Sequence, residues 1–205
     1  MADFAFHDGE RQMQEHFDSV RLADRVAGAT MHDRFTDRDA AFIARMDMFF
    51  LATGDSHGNL DCSYKGGDPG FVRVLDEKTL VFPIYDGNGM FQSTGNILAH
   101  DRVGMLFIDW EHQRRMRVNG RAQVSFEAGL LAEFKEALCV VQVTPDAIFT
   151  NCPRYIHTMQ LVERSGFVPR AGCDTPEADW KTHFEDVLPE AQRAARAAPR
   201  ETEPR

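Results

Sequence analysis

Lys65 stands directly before two glycines in Lys65-Gly66-Gly67-Asp68-Pro69-Gly70, and Arg73 follows inside the apolar run Phe71–Leu75. Glycines let backbone amides come close to a ligand, and a lysine beside them can meet an anion. An arginine turned inward needs a counter-charge, which a ligand phosphate would supply; turned outward, it needs only water. The stretch is neither GxxxxGK[ST] nor GxGxxG, so read alone it is a plain turn.

A second segment, Asn88-Gly89-Met90-Phe91-Gln92-Ser93-Thr94-Gly95-Asn96, sets hydroxyls and carboxamides at the start of an expected helix. Free N–H groups and the helix dipole favour an anion there, although an ordinary capped helix has the same composition. A third segment carries Arg114, Arg115, Arg117 and Arg121, which a solvated strand edge also explains. The cysteines Cys62, Cys139, Cys152 and Cys173 are irregularly spaced, with no CxxC and no zinc spacing, and no HExxH joins the histidines. Free thiols and no metal centre are expected. Cys152, next to Pro153 and far from any resolving thiol, is expected to be a small buried apolar residue.

The elements that would position these residues are mostly strands. Residues 1–46 read as a helical extension, with Asp8 and then Asp18 or Ser19 as caps, and with Thr36 and Asp39 three apart as a capping box. Short apolar runs then predict strands over Met48–Thr53, Leu60–Lys65, Phe71–Leu75, Leu80–Ile84, Val103–Ile108, Met116–Phe126 and Cys139–Val143. Phe91–His100 and Ala128–Leu138 read as helices. About seven strands in succession, with few helices between them, indicate a closed antiparallel barrel and exclude a doubly wound sheet. A further helix is expected near Ala178–Val187. The Ala/Arg/Glu/Pro-rich residues 189–205 read as a mobile tail.

The chain has 205 residues, 43% of them hydrophobic, and a formal charge of −9 from 32 acidic and 23 basic side chains. That length supports one buried core with extensions. The acidic balance argues against nucleic acid as a partner. No apolar run exceeds about six residues, against the roughly twenty a bilayer span needs, so a membrane partner is not expected. The acidic start Met1-Ala2-Asp3-Phe4 is unlike a signal peptide, and a cytoplasmic location is the expectation.

Several segments occur in a telling order: Phe50-Leu51-Ala52-Thr53 with Gly58-Asn59, Leu80-Val81-Phe82-Pro83, Gly95-Asn96-Ile97-Leu98, Asp101–Phe107 and Val118-Asn119-Gly120-Arg121-Ala122. Together they resemble the pyridoxamine 5′-phosphate oxidase-like split-barrel flavoproteins. Phe6–Glu10, Phe71–Asp76 and Asn151-Cys152-Pro153-Arg154-Tyr155-Ile156 are similar to a bacterial subgroup of oxidase-related FMN-binding proteins. The resemblance implies a mainly β (α+β) fold, a six-stranded antiparallel split β-barrel with flanking helices over residues 47–157. A helical segment over 158–188 would pack on it. It also implies a homodimer with two FMN sites at the interface, and an oxidoreductase exchanging hydride between flavin N5 and a small-molecule substrate. The alternatives of the same fold are a deazaflavin F420-dependent reductase and a non-catalytic flavin- or haem-binding module.

Carried over position by position, the resemblance places the flavin phosphate near Arg73 and near Gln92 and Ser93, where the true oxidases have an Arg-Lys pair. Lys65, Arg73 or Asn88 would then have to compensate. Main-chain groups of Val81, Phe82 and Pro83 and of Ser63, Tyr64 and Lys65 would edge the ring. Asn96 belongs to the helix motif, Arg115 would reach the flavin of the other subunit, and Arg154 and Tyr155 would lie at the interface. The chain lacks the oxidases' C-terminal substrate arm, so their vitamin B6 activity is not implied.

Overall fold

The computed structural model describes residues 5–197. Three helices precede the sheet: α1 (Asp8–His16), α2 (Val20–Thr30) and α3 (Asp37–Ile43). The α1 cap is His7 rather than Asp8. Its ring accepts from the Glu10 N–H, and the Glu10 carboxylate accepts from the His7 N–H at 3.0 Å. α3 begins with the expected capping box, in which the Thr36 hydroxyl and the Asp39 carboxylate each accept from the other's backbone N–H. Ser19 precedes α2 without a side-chain cap.

The strands are β1 (Met48–Gly54), β2 (Leu60–Gly66), β3 (Arg73–Asp76), β4 (Thr79–Ile84), β5 (Arg102–Asp109), β6 (Arg114–Ser125) and β7 (Cys139–Thr150). α4 (Gln92–Ala99) links β4 to β5, and α5 (Ala128–Leu131) links β6 to β7. All pairings are antiparallel, in one sheet of order β2-β1-β5-β6-β7-β4-β3. An antiparallel sheet with flanking helices fits a split barrel. It has seven strands, however, not the six that the resemblance implied, and it is not closed: the edge strands β2 and β3 do not pair. The physical reason lies between them, in the Gly67-Asp68-Pro69-Gly70 turn, where Gly70 takes φ +90° and Pro69 has no N–H to give a ladder.

Side chains hold the sheet curled in place of that missing ladder. Phe49 on β1 is fully buried and packs against Phe107 of neighbouring β5 (5.2 Å between ring centroids), but also against Phe82 of β4 (5.0 Å) and Phe71 of the β2–β3 connection (5.9 Å). β1 and β4 are four strands apart in the sheet, so this contact crosses the barrel interior. Gly67 is obligatory beside it: a Cβ there would lie 2.3 Å from the Phe71 ring.

β6 and β7 carry a bulge. Asn119 pairs Ala147 while Gly120 pairs Pro145, which leaves Asp146 as the extra residue. The strands approach so closely there that a Cβ on Gly120 would meet the Thr144 carbonyl oxygen at 2.2 Å. β7 runs on to Thr150, beyond the expected end at Val143.

The expected helix Ala128–Leu138 stops after Leu131. Arg73 captures the Glu133 carbonyl at 3.0 Å, and Glu136 turns into the left-handed region (φ +58°). The described residues from Ser165 onward form a second compact unit. In it Asp179–Val187 is a 3-10 helix interrupted at Phe184, not an α-helix, and Glu190–Ala197 (α6) is helical within the tail expected to be mobile. The remainder of that tail lies outside the described residues. Among them, no helix is long and apolar enough to cross a membrane.

Because Phe49 bridges strands that share no hydrogen bonds, Phe49→Ala should cost about 3–5 kcal/mol of stability in denaturant unfolding. A loss below about 1 kcal/mol would show that the curl is held elsewhere.

Candidate functional site

Lys65 is the penultimate residue of β2 and sits opposite Phe49 in the β1–β2 register, so the curl that buries Phe49 also fixes the lysine. Its Nζ donates to the Ser93 hydroxyl at 3.2 Å. Ser93 and Thr94 are buried in the first turn of α4, preceded by Phe91 in the left-handed region (φ +50°). That conformation is costly for a bulky residue, and here it turns the chain so that both hydroxyls face inward. The Thr94 hydroxyl donates to the Phe91 carbonyl, and Asn96 ties α4 to the barrel by donating to the Thr53 hydroxyl at 3.0 Å. Two segments singled out separately in the sequence thus meet.

The electrostatics of Lys65 are unusual. It is half-buried, and among the described residues no carboxylate lies within ion-pair distance of it. Burial pushes its ammonium below the ordinary lysine value, with a partial offset from the charge of Asp61. Cys139, at the start of β7, is buried close enough for the lysine's charge to act on its thiol, and burial raises that thiol. A half-buried ammonium without an ion-pair partner, held at a helix N-terminus, is the arrangement an anion completes.

Arg73 lies at the same end of the barrel but already has its counter-charge. Its guanidinium donates to the Glu133 carboxylate (3.0 Å), the Glu133 carbonyl (3.0 Å) and the Gly70 carbonyl (3.3 Å), and it lies 4.5 Å over the Phe134 ring. Glu133 was not legible in the sequence, because it comes from a segment 60 residues on. Val81, Phe82 and Pro83 are buried in β4. β3 begins at Arg73, opposite Val81, so Phe82 and Pro83 have a strand neighbour, β7, on one side alone. Ser63 and Tyr64 lie on edge strand β2, with Tyr64 exposed against Phe50. Asn88 is spent in a turn, accepting from the Met90 N–H at 3.1 Å, and Gln92 is exposed.

The remaining candidates gather elsewhere. Arg115 on β6 has a buried Nε without a hydrogen-bond partner, as does Oδ1 of Asn151 just past β7. Cys152 follows, and is exposed rather than buried: the turn at Pro153 carries it outward, and its sulfur accepts from the Arg154 Nε at 3.1 Å. The Arg154 backbone N–H and guanidinium, with the charge of Arg115, hold the Cys152 thiol below its ordinary value. Arg154 lies 5.9 Å over the Tyr155 ring, which is 85% exposed. Lys65 is beside the first residue of β7 and Cys152 is beyond its last. Across the sheet, Lys65 is opposite Phe49, the Phe49 ring packs on Phe107, and Phe107 is opposite Met116, so Arg115 lies three strands from Lys65. Among the described residues, no group of three or more His, Cys, Asp and Glu could hold a metal ion.

Residues 35–152, more than half of the chain, match the protein-family model for pyridoxamine 5′-phosphate oxidase. Solved structures similar to this chain include HupZ of Group A Streptococcus (19% identity over 57% of this chain and 93% of that one, TM-score 0.45). The heme storage protein HutZ of Vibrio cholerae is similar at 14% identity over 57% and 94% (TM-score 0.41). An FAD binding protein of Mycobacterium smegmatis is similar at 15% identity over 58% and 97% (TM-score 0.40). No curated protein matches the chain.

The lowered thiol of Cys152 should show in its chemistry. Its alkylation by iodoacetamide should reach half-maximal rate at a pH below that of an ordinary thiol, and Arg154→Ala should move that midpoint upward by removing the guanidinium. A midpoint unmoved by the substitution would contradict the assignment.

Proposed function

The chain belongs to the pyridoxamine 5′-phosphate oxidase family, and on that premise we propose that it is a homodimeric FMN-binding oxidoreductase. Lys65 carries this reading. A half-buried ammonium without an ion-pair partner, 3.2 Å from a buried serine at the start of α4, fits a phosphate. The Arg-Lys pair of the true oxidases is replaced here by Gln92 and Ser93, and Lys65 brings the missing positive charge to Ser93 from β2. Lys65, the Ser93 and Thr94 hydroxyls and the free N–H groups of α4 would hold the phosphate. Arg73 stays paired with Glu133 beside them.

The ring would lie along β4 beyond the start of β3, against the uncovered edge of Phe82 and Pro83. Bound FMN would supply reversible hydride exchange at N5 to a small-molecule substrate; the chain binds and orients it. In the sheet, β1 and β5 stand between Lys65 on β2 and Arg115 on β6. Arg115, Arg154 and Tyr155 would reach this flavin from a second copy of the chain, as the resemblance to the family implies. The partnerless Nε of Arg115 supports an interface of that kind.

Lys65→Met should weaken FMN by roughly ten- to a hundredfold, the loss of one charge-assisted contact of about 1.5–3 kcal/mol. Riboflavin, which lacks the phosphate, should bind variant and wild type equally. Titration of both ligands into both apoproteins decides it: equal losses, or none, would remove the phosphate from Lys65.

A further inference from the structure

Away from these residues, an open groove of about 650 Å³ lies where the N-terminal segment crosses the sheet. That volume is in the range of small-molecule sites. One wall is His32, welded to β7 by paired backbone bonds: its N–H donates to the Ile148 carbonyl (3.1 Å), and its carbonyl accepts from the Ile148 N–H (2.7 Å). The opposite wall is Arg102 with Asp146, the residue that the β7 bulge pushes out of register. Gly104 and Gly120 lie in the floor, with the exposed side chain of Asn119 beside Gly120 on β6.

The polar groups here are held from behind. Asp39 is buried, and its Oδ2 accepts from the Thr36 N–H (2.9 Å), the Thr36 hydroxyl (2.7 Å) and the His32 ring (2.8 Å). Those bonds keep its carboxyl below the usual range despite burial. An ionised Asp39 can only accept, so the His32 Nε2 donates to it. In the neutral ring Nδ1 is then an acceptor, and it has no partner among the described residues. Across the groove, Arg102 donates to Asp146 at 2.5 Å, and the Arg121 guanidinium approaches the same carboxylate at 3.6 Å. One carboxylate cannot neutralise two guanidiniums, and a locally positive wall results in a chain of charge −9.

We propose that this groove binds a small carboxylic acid that also carries a hydrogen-bond donor. The acid's carboxylate would take the Arg102 donors that Asp146 leaves over, and its donor would meet Nδ1 of His32, with the Asn119 amide between the two. Arg102 and Arg121 carry one positive charge beyond that of Asp146, and a single carboxylate matches it on that wall. The assignment does not depend on the flavin reading, since no residue is shared between the two sites.

Isothermal titration of the full chain with 4-hydroxybenzoate and its uncharged counterpart 4-hydroxybenzamide tests it. The acid should bind at least tenfold more tightly than the amide, and Arg102→Gln should erase that preference. Asn119→Asp, at an exposed position that cannot perturb the core, should weaken the acid by tenfold or more by adding a negative charge. Equal affinity for acid and amide, or an acid affinity unchanged in either variant, would overturn the proposal.

Discussion

A curled sheet whose edge strands do not pair must be held by its interior, and in this chain the interior is centred on Phe49. Its ring touches a neighbouring strand, a strand on the far side of the barrel and the connection between the two edges. Burial of one large aromatic side chain supplies about 1.5–3 kcal/mol, and aromatic pairs add to that. The directional consequence is greater, because β1 is fixed relative to β4 without a hydrogen bond between them. Lys65 is opposite Phe49 in register, so the same contact that curls the sheet sets an ammonium at the start of α4. The candidate anion site is therefore a product of the core, not an ornament on a loop.

Charge pairing separates the two cations at this end of the barrel. Arg73 has a carboxylate, two carbonyls and an aromatic face, and is satisfied within the chain. Lys65 has a hydroxyl and a helix terminus. Of the two, Lys65 gains more from a ligand phosphate, although the apolar surroundings of Arg73 make Arg73 the more conspicuous residue in the sequence. The side chain of Arg73 is 40% exposed, and the charge it meets within the chain is that of Glu133.

Much of the architecture was legible because it depends on local pattern. The strand cores, α4 and the Thr36–Asp39 capping box follow from alternation, turn residues and cap spacing. The candidate residues Lys65 and Ser93 were visible singly; their contact was not, because it depends on how far the sheet curls. The same limit hid Glu133, the bulge at Asp146 and the exposure of Cys152. Each is set by register or by a partner distant in sequence. The early stop of α5 has the same origin, since a distant guanidinium takes a carbonyl from the expected helix.

The central claim is that Lys65 of one copy of the chain and Arg115 of another serve one flavin. The most direct test mixes unfolded Lys65→Met and Arg115→Ala chains, refolds them together and measures FMN bound per chain against each variant alone. A composite interface site predicts recovery in the mixture, because each heterodimer regains one intact site, about a quarter of the sites for random pairing. FMN binding in the mixture no greater than the average of the two separate variants would contradict it.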